Sequence, residues 1–105
     1  MEKIIKEIIK FSKERNWEQF HTGANLAKSI SIESGELLEL FQWKDEPTDI
    51  EKLKDELADV IIYSIMLSNK YDFNIKEIVE NKIKKNTEKY PISKSYGKSK
   101  KYTEL

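Results

Sequence analysis

The chain has 105 residues, room for one domain with a modest core, and its apolar (38%) and charged (36%) residues are so nearly balanced that a charged surface must wrap a small interior. No cysteine is present, which excludes a disulfide framework and zinc–thiolate sites and is compatible with a cytoplasmic location. The zero net charge hides an asymmetry, since residues 1–81 carry 11 basic and 17 acidic side chains and residues 82–101 carry eight Lys and one Glu, a pattern that suits an anionic ligand.

Three Gly and two Pro leave few turns, so long helices are expected. Residues 3–15 set Ile4, Ile5, Ile8, Ile9 and Phe11 among Lys and Glu, a helical stripe. The charges in "MEKIIKEIIK" also exclude a signal-peptide h-region. "NWEQFHTG" breaks the stripe, and a second helix is expected from Gly23 to Trp43. "KDEPTD" is a polar connector. Thr48 with Glu51 then forms a capping-box pattern that opens a third helix, Asp49 to Asn69. Its apolar run "VIIYSIML" is eight residues, short of the roughly 20 that a membrane span needs. Asn74 with Glu77 repeats the capping pattern and starts a fourth helix, which Pro91 ends. The basic tail 90–105 has no apolar period and is expected to be irregular or packed on a neighbour. Short connectors favour antiparallel neighbours. The expectation is one all-α domain over residues 1–105, a compact antiparallel bundle of about four helices. Its apolar stripes are rich for so few helices, so a homo-oligomer, dimer or tetramer, is expected.

The second helix has a fault in its stripe. With Glu33 set at zero on a wheel of about 100° per residue, Leu26, Leu37, Ile30 and Leu40 fall within about 60° of it, and Glu36 lands on the edge. The third helix repeats the device. Leu67, Val60, Leu53 and Tyr63 surround Glu56, and Asp59 lies on the edge beside Met66. If the stripes pack together, four carboxylates converge with no Lys or Arg on either stripe. Unpaired charges in such a seam are unfavourable and raise one another's pKa. A cation is called for, and an all-oxygen ligand set suits Mg²⁺, with Mn²⁺ the alternative. Magnesium shares its remaining positions with substrate phosphates, so the cluster is a natural grip for a nucleotide.

At these residues the sequence resembles the MazG-like, all-α nucleotide pyrophosphohydrolases. The motif E-x-x-E, spacer, E-x-x-D stands here as Glu33 to Glu36, nineteen residues, then Glu56 to Asp59. "ELLELFQWK", "DELADVIIY", "KIKKNTEKYP" and "KSKKYTEL" match in order over nearly the whole chain. "NWEQFH" and "FQW" place it nearest the branch that contains the dCTP pyrophosphatases. The resemblance implies magnesium-dependent cleavage of a nucleoside triphosphate, dCTP or a related pyrimidine nucleotide, to monophosphate and pyrophosphate, a nucleotide-pool house-cleaning role. It implies Glu33, Glu36, Glu56 and Asp59 as metal ligands, and Trp17, Trp43, Tyr63, Lys82 and Asn86 as pocket residues. The dCTP-type relatives carry a His where this chain has Ile8, which implies looser selectivity.

Phosphoryl transfer asks for positioning and charge neutralisation more than covalent chemistry. A spare carboxylate, Glu36 or Glu39, is expected to take the proton of the attacking water, and Lys82, with Lys85 or Lys89, to meet the outer phosphates. Trp17, Phe20, Trp43 and Tyr63 offer stacking surface for the base, although Phe41 and Trp43 also suit helix-end packing and Tyr63 a core position. His21, the only histidine, is a surface or helix-entry residue as readily as a ligand. The alternative reading is a non-enzymatic helical interaction module with an acidic seam. A di-iron centre lacks its Glu-x-x-His pairs. Nucleic-acid binding is disfavoured by the neutral total and the lack of a basic helix.

Overall fold

The computed structural model describes residues 1–105, all helix, turn and coil. Four helices carry the fold: α1 (Glu2–Glu14), α2 (Gly23–Glu39), α3 (Ile50–Lys70) and α4 (Ile75–Lys89). A single helical turn, α5 (Ile92–Ser95), follows, and 3₁₀ turns occur at Trp17–Phe20 and Tyr102–Glu104. The chain folds as two compact units, Met1–Asp72 and Phe73–Leu105.

In the first unit, α1 stops where Asn16 turns left-handed (φ 51°), a conformation that Asn tolerates better than most side chains. The hydroxyl of Thr22 accepts the Asn25 N–H at 3.0 Å and caps α2. The expected Thr48 cap of α3 is corrected. Asp49 is the cap, its carboxylate accepting the Lys52 N–H at 3.0 Å. An ionised oxygen is the stronger acceptor at the positive end of a helix dipole, so it displaces the neighbouring hydroxyl. The second helix is also shorter than expected. It ends at Glu39 and leaves Trp43 in the connector.

Helices α2 and α3 pack antiparallel. Gly23, at the start of α2, lies so near Tyr71, just past the end of α3, that an added Cβ would run into the tyrosine hydroxyl. Glu33, further along α2, meets Glu56 and Asp59 in the first half of α3. Leu26, Ile65 and Met66 are the buried apolar side chains. Helix α1 joins this seam through Ser12, whose buried hydroxyl donates to the Met66 sulfur at 3.9 Å. The apolar stripes around both acids fall as the wheel predicts, with Ile30, Leu37, Leu40, Leu53, Val60, Tyr63 and Leu67 all half-buried.

In the second unit, the Asn74 side chain accepts the Glu77 N–H at 3.1 Å and caps α4 as expected. The tail is more ordered than its sequence suggests. Tyr102 meets Tyr90 edge to face at 6.1 Å between ring centroids, and the Lys89 ammonium lies 4.8 Å from the Tyr102 ring centre.

Replacing Asp49 with Ala is expected to cost about 1 kcal/mol in denaturant unfolding, and replacing Thr48 with Ala less than about 0.5 kcal/mol. Equal losses at the two positions would return the cap to Thr48.

Candidate metal centre

Glu33 projects from α2, and Glu56 and Asp59 project from one face of α3. One carboxylate oxygen from each lies within 4.8 Å of the other two, and all three residues are half-buried. The arrangement follows from the antiparallel packing, since each acid occupies a place in its helix's apolar stripe and the stripes face each other. Glu36, one turn after Glu33, is exposed at the side of this group.

The electrostatics are those of an uncompensated anion cluster. Burial, then the adjacent Glu36 carboxyl, and then the charges of Asp59 and Glu56 push the Glu33 carboxyl up to about 7. Burial and Glu36 likewise raise Glu56, with Asp59 adding to the effect and Lys52 opposing it weakly. One oxygen of Glu33 and one of Glu56, the Oε2 in each case, are buried without a hydrogen-bond partner. The two ion pairs of the chain, Lys54–Glu51 and Lys76–Glu80, are exposed pairs of neighbouring helical residues that involve none of these acids.

Two buried carboxylate oxygens without a donor, in a cluster of three converging acids, need a partner that the chain itself does not supply. The donor set is all oxygen, without sulfur or nitrogen. These residues therefore fit a hard divalent cation.

The other expected site residues are dispersed. Glu39 is the exposed last residue of α2, outside the three-acid group. Tyr63 is half-buried one turn beyond Asp59. Trp17 packs edge-on against Phe11 at 5.4 Å. Trp43 is 86% exposed. Lys82 and Asn86 lie on α4 in the second unit, exposed and four residues apart, hence on one helix face. His21 lines a cavity of about 200 Å³ and mixed polarity with Ser12, Glu18, Leu26, Met66 and Lys70, which includes none of Glu33, Glu36, Glu56 and Asp59.

A second cavity has no counterpart among the site residues singled out from the sequence. It has a volume of about 220 Å³ and is walled by Ile4, Glu7, Ile8 and Phe11 of α1 and by Ile62 and Met66 of α3. Ile62 is three residues past Asp59, so the cavity opens along the face of α3 that carries the acid, about 5 Å further along the axis. Residues 4, 8 and 11 form one row of the α1 stripe.

Residues 28–105 match the MazG-like family. The chain belongs to that family. It is 38% identical over 104 residues to dCTP pyrophosphatase 1 of Mus musculus and of Homo sapiens, which covers 90% of this chain and 61% of theirs, so it spans about three fifths of the length of those relatives. The crystal structure of a pyrophosphatase from Archaeoglobus fulgidus superposes with a TM-score of 0.76 at 40% identity, over 87% of this chain and 92% of that one. The all-helical architecture is thus a MazG-like one. No helix is long and apolar enough to cross a membrane.

The raised acid gives stability a definite sign. Glu33 keeps its proton in the folded chain up to about pH 7, against an ordinary value of 4.5. Its contribution is complete below pH 4.5 and is lost as pH rises through 7. The metal-free protein is expected to lose melting temperature between pH 5 and pH 8 relative to its Glu33→Gln variant. Magnesium or manganese should restore it at pH 8 and have little effect at pH 5. A wild-type profile parallel to that of the variant, with or without metal, would falsify the cluster's electrostatics.

Proposed function

We propose that this chain hydrolyses a nucleoside triphosphate to the monophosphate and pyrophosphate with magnesium, manganese being able to substitute. The supporting observation is the convergence of Glu33, Glu56 and Asp59, with a buried, unpartnered oxygen on each glutamate and no protein cation among them. The dCTP pyrophosphatase relatives supply the reaction class, and residues 1–105 are taken as one such domain with a basic tail.

Glu33, Glu56 and Asp59 would hold the cation, with Glu36 completing the set. A divalent ion there supplies Lewis acidity toward phosphate oxygens and lowers the pKa of water. Glu36 is exposed and adjoins both raised glutamates, so its carboxylate is placed to accept a proton from attacking water. That role suits it better than Glu39 at the exposed helix end. Lys82 and Asn86, which share one face of α4, would offer a mobile positive charge for a phosphate and an amide for a sugar or phosphate.

The base is seated in the apolar cavity beside Asp59. Phe11 gives it an aromatic wall, with the Arg15 guanidinium 3.7 Å from the ring centre and Trp17 edge-on, contacts that hold the ring in place. Tyr63 and Trp43 are the remaining aromatic candidates for contact with the nucleotide, Trp43 because nothing in the chain covers it.

Incubation with a panel of nucleoside triphosphates and magnesium should release pyrophosphate and monophosphate in equal amounts. Glu33→Gln and Glu56→Gln should reduce turnover by at least about a thousandfold, with helical circular dichroism retained. Release of orthophosphate alone would mean a different bond is cut. Near-normal turnover in either variant would remove these acids from the site, and no hydrolysis at all would favour an interaction module.

Self-association completes the reading. Ile32 and Leu38 of α2, and Leu57 and Ile61 of α3, are 47–67% exposed, while just three apolar side chains are buried. An apolar surface of this kind on a charged chain is one that a second copy covers. Light scattering should give a mass that is a multiple of 12.4 kDa. A monodisperse monomer at micromolar concentration would contradict it.

A further inference from the structure

The neutral total of the chain divides unevenly between its two units. Residues 1–72 hold ten basic and fifteen acidic side chains, and residues 73–105 hold nine Lys and four Glu, so the second unit is cationic on its own. Its charge is also concentrated. In the first half of α4, Lys76 is paired with Glu80. The eight Lys between residues 82 and 101 are all exposed and form no ion pair.

The tail gathers this charge. Tyr102 meets the Tyr90 ring and the Lys89 ammonium at the end of α4. Lys100 and Lys101, just before Tyr102, are thereby returned to the helix end that already carries Lys85 and Lys89. Like charges held together repel, and a polyanion relieves that repulsion while releasing its own counterions. Lys82, Lys85 and Lys89 lie within about 60° of one another on α4 and span about 10 Å along it, so the charge forms a line. Between Lys94 and Lys98 stands Tyr96, whose ring is 88% exposed.

A line of ammonium groups with a free aromatic ring matches single-stranded nucleic acid, because the ammonium groups follow the phosphates and the ring stacks on an unpaired base. A membrane surface is a poorer match. Three of the four apolar residues of α4, Ile75, Ile78 and Val79, share their half of the helix with Glu77 and Glu80, so insertion and attraction would act at opposite ends. A lone triphosphate carries too few charges to engage eight lysines. The neutral total and the lack of a basic helix, which disfavour nucleic acid for the whole chain, do not apply to a unit that is cationic by itself and basic over half of α4. We infer that residues 82–101 form a binding surface for single-stranded nucleic acid, with the lysines on its phosphates and Tyr96 stacked on a base.

Fluorescence anisotropy of a labelled oligothymidylate of about 20 nucleotides, titrated with the full chain without magnesium, measures this binding. The dissociation constant should be micromolar near about 50 mM salt, and log affinity should fall against log salt with a slope of about −3. The wild type should bind the single strand more tightly than a duplex of the same length. Combined replacement of Lys98, Lys100 and Lys101 with Ala should weaken binding at least about tenfold and reduce the slope by about two. Tyr96→Ala should weaken single-strand binding about fivefold with the slope and the duplex affinity unchanged. Both variants should keep the wild-type melting temperature, so that the losses report on the surface and not on the fold. No binding at low salt, an undiminished affinity in the triple variant, or a duplex bound as tightly as the single strand would overturn the assignment. Tighter binding to phosphatidylserine vesicles than to the oligonucleotide would give the surface to a membrane and overturn it too. Release of the oligonucleotide by one equivalent of a nucleoside triphosphate would place the strand at the acids of α2 and α3, with the same consequence.

Discussion

Mutual repulsion among the carboxylates at the α2–α3 seam is the constraint on which the rest of this molecule turns. Three acids have oxygens within 4.8 Å of one another, two of those residues have an oxygen with no partner, and the neighbouring Glu36 adds to their charge. An apolar residue at 33 or 56 would pack more cheaply, because it carries no desolvation cost. The chain instead holds Glu33 partly protonated near neutrality. It thereby sacrifices stability for a cluster that would hold a divalent cation more tightly as the acids ionise.

Holding such a cluster requires rigid walls. Leu26, Ile65 and Met66 supply the buried core a few turns along the same seam, and Gly23 lets α2 approach Tyr71 closely at that end. The repulsion therefore acts at one end of the antiparallel pair while packing secures the other. Caps at Thr22 and Asp49 fix where each helix begins, and so fix the rotational phase that aims Glu33 and Glu56 at each other. A shift of one residue in either helix would turn its acid by about 100° out of the seam.

The acids were legible in the sequence because helical periodicity is a strong signal and a carboxylate inside an apolar stripe violates it. The half-burial of Glu33, Glu56 and Asp59 is what the wheel predicts. The Asp49 cap was not read, since Thr48 and Asp49 are both good caps one residue apart and the spacing from Thr48 to Glu51 mimics a capping box, which masked the stronger acceptor beside it. The end of α2 was missed for a related reason. "LLELFQW" continues the apolar period past Glu39, and periodicity does not register a backbone that has begun to turn. The α1–α3 cavity was illegible for a deeper reason, because an apolar row on a helix looks the same whether it faces side chains or an empty space for a ligand.

The placement of that cavity would tie recognition to chemistry. Asp59, Ile62 and Met66 lie on one face of a single continuous helix, so the acid cluster and the cavity are held in fixed register by α3 itself. In the proposed function, a nucleotide whose base fitted between α1 and α3 would have its phosphates delivered to the acids by the geometry of the helix, with little conformational freedom left to lose. A base that fitted poorly would displace the phosphates from the acids along with it. Selectivity on such a scaffold would be expressed in the rate as well as in the affinity.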